Sequence, residues 1–259
     1  MTLLGETRIA TSEYNAEFEH SHLVSVYDVE CPWSRDDDWF VARIEAVGAR
    51  DVLDFGCGSG RLALGLAGRG LRVVGIDPAA ASIAQARAKD VDARVDVHIG
   101  TEGDLPEDAF DAAVMTSHVA QFLVDDDEFA RVLSGLSRSL RAGGMLLFDH
   151  RDPAACIWTR WNPVDSRRSH RLPDGAQVDV WTEVVAVENE RVTFVHQYDF
   201  DDGVRLRSTS TLRFRTEIAV RHALDASGVV VEAIDGGWAG EPIGAGDGEF
   251  LVSARKALC

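Results

Sequence analysis

The 259-residue sequence has only four cysteines, Cys31, Cys57, Cys156 and Cys259, and no two of them form a C-x-x-C pair. Their wide spacing fits neither a zinc framework nor a dense disulfide scaffold, so free thiols in a reducing compartment are expected. Positive charge is also scarce: 26 Lys and Arg face 43 Asp and Glu, a formal net charge of −17. A field of that sign repels phosphate backbones and anionic headgroups, so neither nucleic acid nor a membrane surface is expected as a partner. No apolar run reaches the roughly 18 residues a transmembrane helix needs. The opening MTLLGETRIATSEYN lacks a basic region followed by an apolar stretch, so no signal peptide is expected either. These absences lead to the expectation of a cytoplasmic protein. With 46% hydrophobic and 27% charged residues, the chain can bury a sizeable core.

What is present is an alternation of short apolar runs and helical stretches. Residues 1 to about 20 are polar and read as a loose arm. Three aspartates then open a helix over 36–47, closed by Gly48. Strands are expected at 52–55, 72–76, 95–99, 112–116 and 145–149. Helices are expected between them at 61–69, from Pro78 to about 89, and at 126–141, where Gly143 and Gly144 stop the last one. Strands separated by helices imply a parallel sheet, because parallel neighbours need crossover connections. After Asp149 the pattern changes. Residues 177–188, 191–200 and 204–215 are rich in Val, Thr, Phe and Tyr and are joined by tight turns, as in an antiparallel meander. A helix at 216–227, a strand at 229–234, a glycine-rich loop at 236–248 and a last strand at 250–254 complete the chain.

The most informative segment is DVLDFGCGSG, residues 51–60. A strand ends in Asp54, and Gly56, Gly58 and Gly60 follow before a helix starts. Glycines let the backbone turn sharply and approach a ligand closely, and the crevice at the strand ends is where open α/β sheets bind ligands. The G-x-G-x-x-G of dinucleotide dehydrogenases is broken here, since Arg61 follows Gly60. The second strand ends in Asp77 before Pro78. A carboxylate there either accepts hydrogen bonds from a ribose diol or caps the helix that follows.

In that order and spacing, VLDFGCGSGRLALGLAGRGLRVVGIDPAAASIAQARAK resembles the first motif and acidic strand end of class I S-adenosylmethionine (SAM)-dependent methyltransferases. IGTEGDLPEDAFDAAVMTSHVAQF resembles their adenine-binding strand and fourth strand, and LRAGGMLLFD the glycine turn before strand five. SVYDVECPWSRDDDWF and EPIGAGDGEFLVSARK are similar to segments of a bacterial small-molecule methyltransferase group. The resemblance implies an α/β fold: a doubly wound, mostly parallel seven-stranded Rossmann-like sheet with the antiparallel β-meander inserted. It divides the chain into an N-terminal arm and cofactor lid (1–35), a SAM-binding core (36–150), the inserted meander (151–215) and a C-terminal helix and strands completing the sheet (216–259). It implies SAM as cofactor and S-adenosylhomocysteine (SAH) as product. Asp54, Gly56, Cys57 and Gly58 would surround the methionyl part, Asp77 with Pro78 the ribose, Thr101 and Glu102 the adenine, and Ser117 and His118 the end of strand four. Thr101 departs from the family, where many relatives carry an acid, and a neutral acceptor is weaker. No metal ligand is implied.

Methyl transfer needs mainly alignment of a nucleophile with the sulfonium methyl, and a general base only if that nucleophile arrives protonated. His118 is the first candidate base and His150 the second; each equally fits a packing role. Tyr27, Trp33 and Trp39 precede the core; Trp33, after Pro32, is the aromatic expected to close over the cofactor, and Trp39 is expected to pack. Trp158 and Trp161 face either substrate or the meander's own core. Arg205, Arg207, Arg213 and Arg215 share one face of the last meander strand, as a solvated row or as a surface for an acidic substrate or a partner subunit. The meander itself is expected to roof the acceptor site or to form a homodimer contact. The activity expected is transfer of a methyl group to N, O or C of a small-molecule acceptor. The competing readings are a non-catalytic SAM-fold binding or assembly module and, against the broken glycine pattern, a nicotinamide-dependent dehydrogenase.

Overall fold

The computed structural model describes residues 13–258, and it contains two sheets whose elements alternate in the order just outlined. Strand β1 (Glu13–Tyr14) and helices α1 (Ala16–Glu19) and α2 (Ser21–Glu30) lead into α3 (Arg35–Ala46). At the start of α3 the Ser34 N–H donates to the Asp37 carboxylate at 2.9 Å, and Asp36, Asp37 and Asp38 sit in the first turn at the positive end of the helix dipole. The core sheet follows as β2 (Asp51–Phe55), α4 (Arg61–Ala67), β3 (Arg72–Asp77), α5 (Ala80–Lys89), β4 (Val95–Ile99), β5 (Phe110–Met115), the single turn α6 (Val119–Phe122), α7 (Asp126–Ser139) and β6 (Leu140–Arg151). Helix α7 shows why these segments fold as they do. Asp125 caps it by accepting from the N–H groups of Asp127 and Glu128, and Phe129, Val132, Leu133 and Leu136 bury one stripe against the sheet.

A short helix α8 (Pro163–Ser166) then leads into the meander, β7 (Arg168–Arg171), β8 (Gln177–Glu188), β9 (Arg191–Phe200) and β10 (Arg205–Arg213). Helix α9 (Glu217–Ala226), β11 (Val229–Asp235) and β12 (Glu249–Lys256) return to the core. The core sheet has seven strands in the order β11-β12-β6-β5-β2-β3-β4. All pairings within β4, β3, β2, β5 and β6 are parallel, and β12 runs antiparallel between β6 and β11. The order reverses at β2, which has β3 on one side and β5 on the other, so the ligand crevice of an open α/β sheet lies beyond the ends of these two strands.

Three expectations need correction. Residues 13–20 of the expected loose arm are ordered as strand and helix. Strand β1 pairs parallel with β10, and Ala16, Leu23 and Val26 pack against Val178, Val180, Tyr198 and Phe200 of the meander. Residues 1–12 of that arm lie outside the described region. Gly143 and Gly144 do not separate helix from strand. They lie within β6, where residues 141–144 face Asp111 alone in a register shift, and the missing side chain at Gly144 lets Arg141 and Asp111 carbonyls come close. The meander is also larger than three strands: β7 and β1 extend it to a five-stranded sheet in the order β1-β10-β9-β8-β7.

Candidate active site

At the end of β2 the chain turns through Gly56 and Gly58, with φ of +76° and +52°. A Cβ on Gly56 would lie 2.6 Å from the Val119 side chain, whereas one on Gly58 would meet nothing within 4 Å. Gly56 is therefore required by packing as well as by backbone conformation, and Gly58 by conformation while leaving open space beside the loop. Asp77, at the end of β3, fixes this loop from the side. One carboxylate oxygen accepts from the Gly58 N–H at 2.9 Å and the other from the Ala79 N–H at 2.8 Å, just ahead of α5. Asp77 therefore braces the start of α5 while the same side chain borders the open space beside the loop.

These residues line a cavity of about 320 Å3, together with Cys57, Pro78, Thr101, Glu102 and Ser117. Its far wall comes from Phe18, Val24 and Tyr27 of the N-terminal helices and from Phe122. The Ser59 hydroxyl donates to Asp28 on α2, and Lys89 on α5 lies 3.0 Å from the same carboxylate, so the N-terminal helices are tied to the glycine loop. The Thr101 N–H donates to Asp104 at 2.9 Å in a short capping turn, and Glu102 lies 3.8 Å from Arg131. Asp54 lies beneath the loop rather than in the cavity wall. It is fully buried, one of its oxygens has no partner, and desolvation pushes its pKa up to about 7.

A larger cavity, about 610 Å3, opens between the core and the meander. It shares Glu17, Phe18, Tyr27, Arg61, Ser117 and Phe122 with the first. Its remaining walls include His118, Arg151 and Glu249 from the core sheet ends, and Trp161, Phe194, His196 and Tyr198 from the meander side. Ser117 and His118 both adopt left-handed backbone angles, φ +55° and +62°, an arrangement non-glycine residues seldom hold. It is held in part by the Asp149 carboxylate, which accepts from the His118 N–H at 3.0 Å. The His118 Nε2 lies 2.9 Å from Glu249 and 3.4 Å from Asp149. Burial, reinforced by Arg151, lowers the His118 pKa to about 4, and burial raises that of Glu249 to about 7.

Several expected site residues sit elsewhere. His118 lines the larger cavity and not the smaller one that holds the glycine loop. His150 reaches neither. It is completely buried, its ring stacks on Phe250 at 6.1 Å, Nδ1 donates to the Arg151 carbonyl at 2.9 Å and Nε2 accepts from the Arg215 N–H at 3.3 Å. Both nitrogens are used by the fold in the neutral tautomer, in keeping with a pKa pushed down to about 3 by burial. Trp33 is not the closing aromatic. Its ring packs on Gly65 of α4 and under the Arg69 guanidinium, with Nε1 donating to Asp38 at 2.8 Å; Tyr27 takes the wall position instead. Trp39 packs, as expected, against Phe40 and Trp238. Trp158 packs edge-on against Phe214 at 4.6 Å, while Trp161 meets Phe194 at 4.8 Å and also lines the larger cavity. Arg205 forms a surface ion pair with Asp199 and the half-buried Arg213 pairs with Glu190, but Arg215 leaves that row. It is buried over the Phe129 ring and donates to the Leu123 carbonyl at 2.7 Å.

Glu17 and Phe18 lie outside every motif, and Arg61, Phe122 and Glu249 lie inside the segments resembling the family without being singled out as site residues. Arg61 alone carried a signal, as the residue that breaks the dehydrogenase glycine pattern. It pairs with Asp36 and Asp37 at 3.0 and 3.1 Å and donates to the Ser117 hydroxyl at 2.8 Å. The residues around the smaller cavity fit a SAM molecule. An open face lies beside Gly58, the Asp77 carboxylate borders the space, and apolar walls stand beyond Thr101 and Glu102.

The methyltransferase domain family matches residues 52–144. The chain is 27% identical over 215 residues to the cypemycin N-terminal methyltransferase of a Streptomyces species, covering 80% of this chain and 83% of that protein. Its fold is similar to that of a sugar N-methyltransferase from a Streptoalloteichus species, with a TM-score of 0.77 at 19% identity over 99% of both chains. It is also similar to a SAM-bound amino pentose methyltransferase from Micromonospora echinaspora, with a TM-score of 0.66 at 21% identity, covering 90% of this chain and 96% of that one. With the glycine loop, the acidic strand end and this sheet order, residues 52–144 form a methyltransferase domain, and the chain has the fold of class I SAM-dependent methyltransferases.

Proposed function

We propose that the methyl acceptor is a small molecule seated in the larger cavity, with the cofactor in the smaller one. The observation that carries this reading is the shared wall: Tyr27, Arg61, Ser117 and Phe122 border both spaces, so the two cavities adjoin where a methyl group on the cofactor would meet a nucleophile. Bound SAM supplies an electrophilic methyl group, to which the acceptor's electron pair bonds as the carbon–sulfur pair returns to sulfur. The protein's own task is alignment and exclusion of water. Gly56, Cys57 and Gly58 hold the methionyl end, Asp77 and Pro78 the ribose, and Thr101 and Glu102 the adenine. Glu249 and His118 give the larger cavity one polar end. With a pKa near 4, His118 is a weak base at neutral pH, and it acts there as a neutral hydrogen-bonding group that orients the acceptor. The meander strands that line this space support substrate cover as the role of the 151–215 insert. The relatives named for sugar and amino pentose substrates support an acceptor of that size.

The test is calorimetric titration of the purified protein with SAH and, in parallel, NADH, followed by transfer from methyl-labelled SAM to small-molecule pools. Saturable SAH binding alone, with label appearing in a low-mass product, is expected. Tight SAH binding with no transfer to any acceptor would instead make the chain a non-catalytic binding module.

A further inference from the structure

Among the described residues, the larger cavity contains two carboxylates that the fold leaves without a fixed cation. Its three arginines are otherwise engaged: Arg61 with Asp36 and Asp37, Arg35 with Asp247 at 2.8 Å, and Arg151 with Gln121 at 2.9 Å while it faces Glu249 and Asp149. Glu17 and Glu30 are different. Glu17 is 3% exposed; one oxygen accepts from the Ser210 hydroxyl at 2.6 Å, and the other, Oε2, has no partner. Glu17 lines both cavities and Glu30 the larger one. The nearest cationic candidate to Glu30 is His170, with Nε2 at 3.6 Å and no hydrogen bond made. Phe18, Tyr27 and Tyr198 stand on the same side, and Phe122, Trp161 and Phe194 line the rest. A buried carboxylate with an unpaired oxygen, as at Glu17, is costly unless a positive charge joins it; Glu30, with a side chain 26% exposed, faces the same space, and aromatic faces favour the same charge.

We infer that the acceptor is an amine, which arrives as an ammonium ion and is held by Glu17 and Glu30 at the α1–α2 end of the larger cavity. This rests on the methyl-transfer reading of that cavity and specifies its substrate class. An ammonium nitrogen has no free electron pair, so one N–H bond must break first, with its pair staying on nitrogen and the proton passing to a carboxylate oxygen. Glu30 suits that role. Burial, and the charge of Glu17 beside it, push its pKa up to about 7, so it is a stronger base than an ordinary carboxylate and still ionises near neutrality. The proton leaves to solvent with the product. The groups facing the pair are Cys31 at the end of α2, His170 from β7, Tyr198 from β9 and the Ser210 hydroxyl from β10. None is a fixed cation, and the Arg61 guanidinium of the same cavity is held by its own two aspartates.

The experiment is calorimetric titration of the SAH-loaded full chain with a panel of aryl- and cycloalkyl-ammonium ions, each against its isosteric neutral alcohol. Ammonium ions are expected to bind more tightly than the matching alcohols by about tenfold or more. The preference should fall to near unity in Glu30→Gln while SAH affinity stays within about twofold. Glu17→Gln should reduce it too; because Glu17 also anchors Ser210, Glu30→Gln carries the result if Glu17→Gln unfolds. Equal binding of ions and alcohols, or a cation preference that survives in Glu30→Gln, overturns the amine assignment alone. Failure of the wild-type chain to bind SAH overturns it together with the methyl-transfer reading beneath it.

Discussion

Single side chains in this protein divide sharply between ligand-facing and fold-holding roles. Asp77 does both, bracing the Gly58 and Ala79 N–H groups while bordering the smaller cavity. Asp77→Ala is expected to weaken SAH binding about ten- to a hundredfold with the fold retained, read by calorimetry and circular dichroism; an unchanged affinity would remove the ribose assignment. His150 is the opposite case. Removing its ring leaves the buried Arg215 N–H and Arg151 carbonyl unpaired and opens a void beside Phe250. His150→Ala should therefore cost about 2–4 kcal/mol in denaturant unfolding while SAH affinity is preserved. A stable variant that loses activity would return His150 to the chemistry. For His118, truncation to alanine should lower turnover well over tenfold with SAH affinity changed less than about threefold, because the ring lines the larger cavity only. Equal losses in both would make it a cofactor contact.

At the scale of elements, small residues and one buried arginine set how the pieces meet. Helix α4 carries Gly65 where a Cβ would lie 2.1 Å from the Trp33 ring, so the loop before α3 rests on bare helix backbone. Gly65→Ala is expected to destabilise by about 1–3 kcal/mol through overpacking, and thermal unfolding checks it. SAH affinity should change little, because Trp33 borders neither cavity. Arg215, just beyond β10, ties the meander to the α6–α7 connection through the Leu123 carbonyl, Asp126 at 3.0 Å and the Phe129 ring. The same meander strands supply one wall of the larger cavity, so the joint that holds the insert also sets the shape of that space.

For the whole molecule, burial of ionisable groups gives a particular pH response. Asp54, Glu30 and Glu249 have pKa values raised to about 7, each chiefly by desolvation. Their contribution to stability is complete below the ordinary carboxylate pKa of about 4 and is lost as pH rises through about 7. His118, His150 and His196 are lowered to about 4, 3 and 4, again by burial first. Their contribution is complete above the ordinary histidine pKa of about 6.5 and is lost as pH falls through about 4. The two sets oppose one another between these limits, so a single variant shows the effect best. Asp54→Asn should gain stability relative to the wild-type apoprotein as pH rises from about 5 to about 8. The expected gain is roughly 2–4 kcal/mol, because each tenfold preference of the folded chain for the protonated acid is worth about 1.36 kcal/mol. A difference that does not change with pH would show that Asp54 ionises normally in the folded chain.

The core sheet and the glycine-loop end of the smaller cavity were legible in local sequence. Apolar runs spaced by amphipathic helices dictate parallel strands, and β4, β8 and β9 have the bounds expected from composition alone. Gly56, Gly58 and Asp77 stood out because a loop that must turn sharply and leave room for a ligand accepts few residue types, and those residues lie close together in the chain. The larger cavity was not legible, because it forms only when distant segments pack. Glu17 from α1, Glu30 from α2, His118 after β5, Trp161 before the meander and Glu249 at the start of β12 meet there although more than 230 positions separate the first from the last. No local pattern records such a meeting, since Glu17, Glu30 and Glu249 alone look like ordinary surface acids and His118 and Trp161 fit packing roles equally well. The same reason separates Tyr27 from Trp33 and His118 from His150. Neighbouring residues of similar chemistry differ in role only through what the folded chain packs against them.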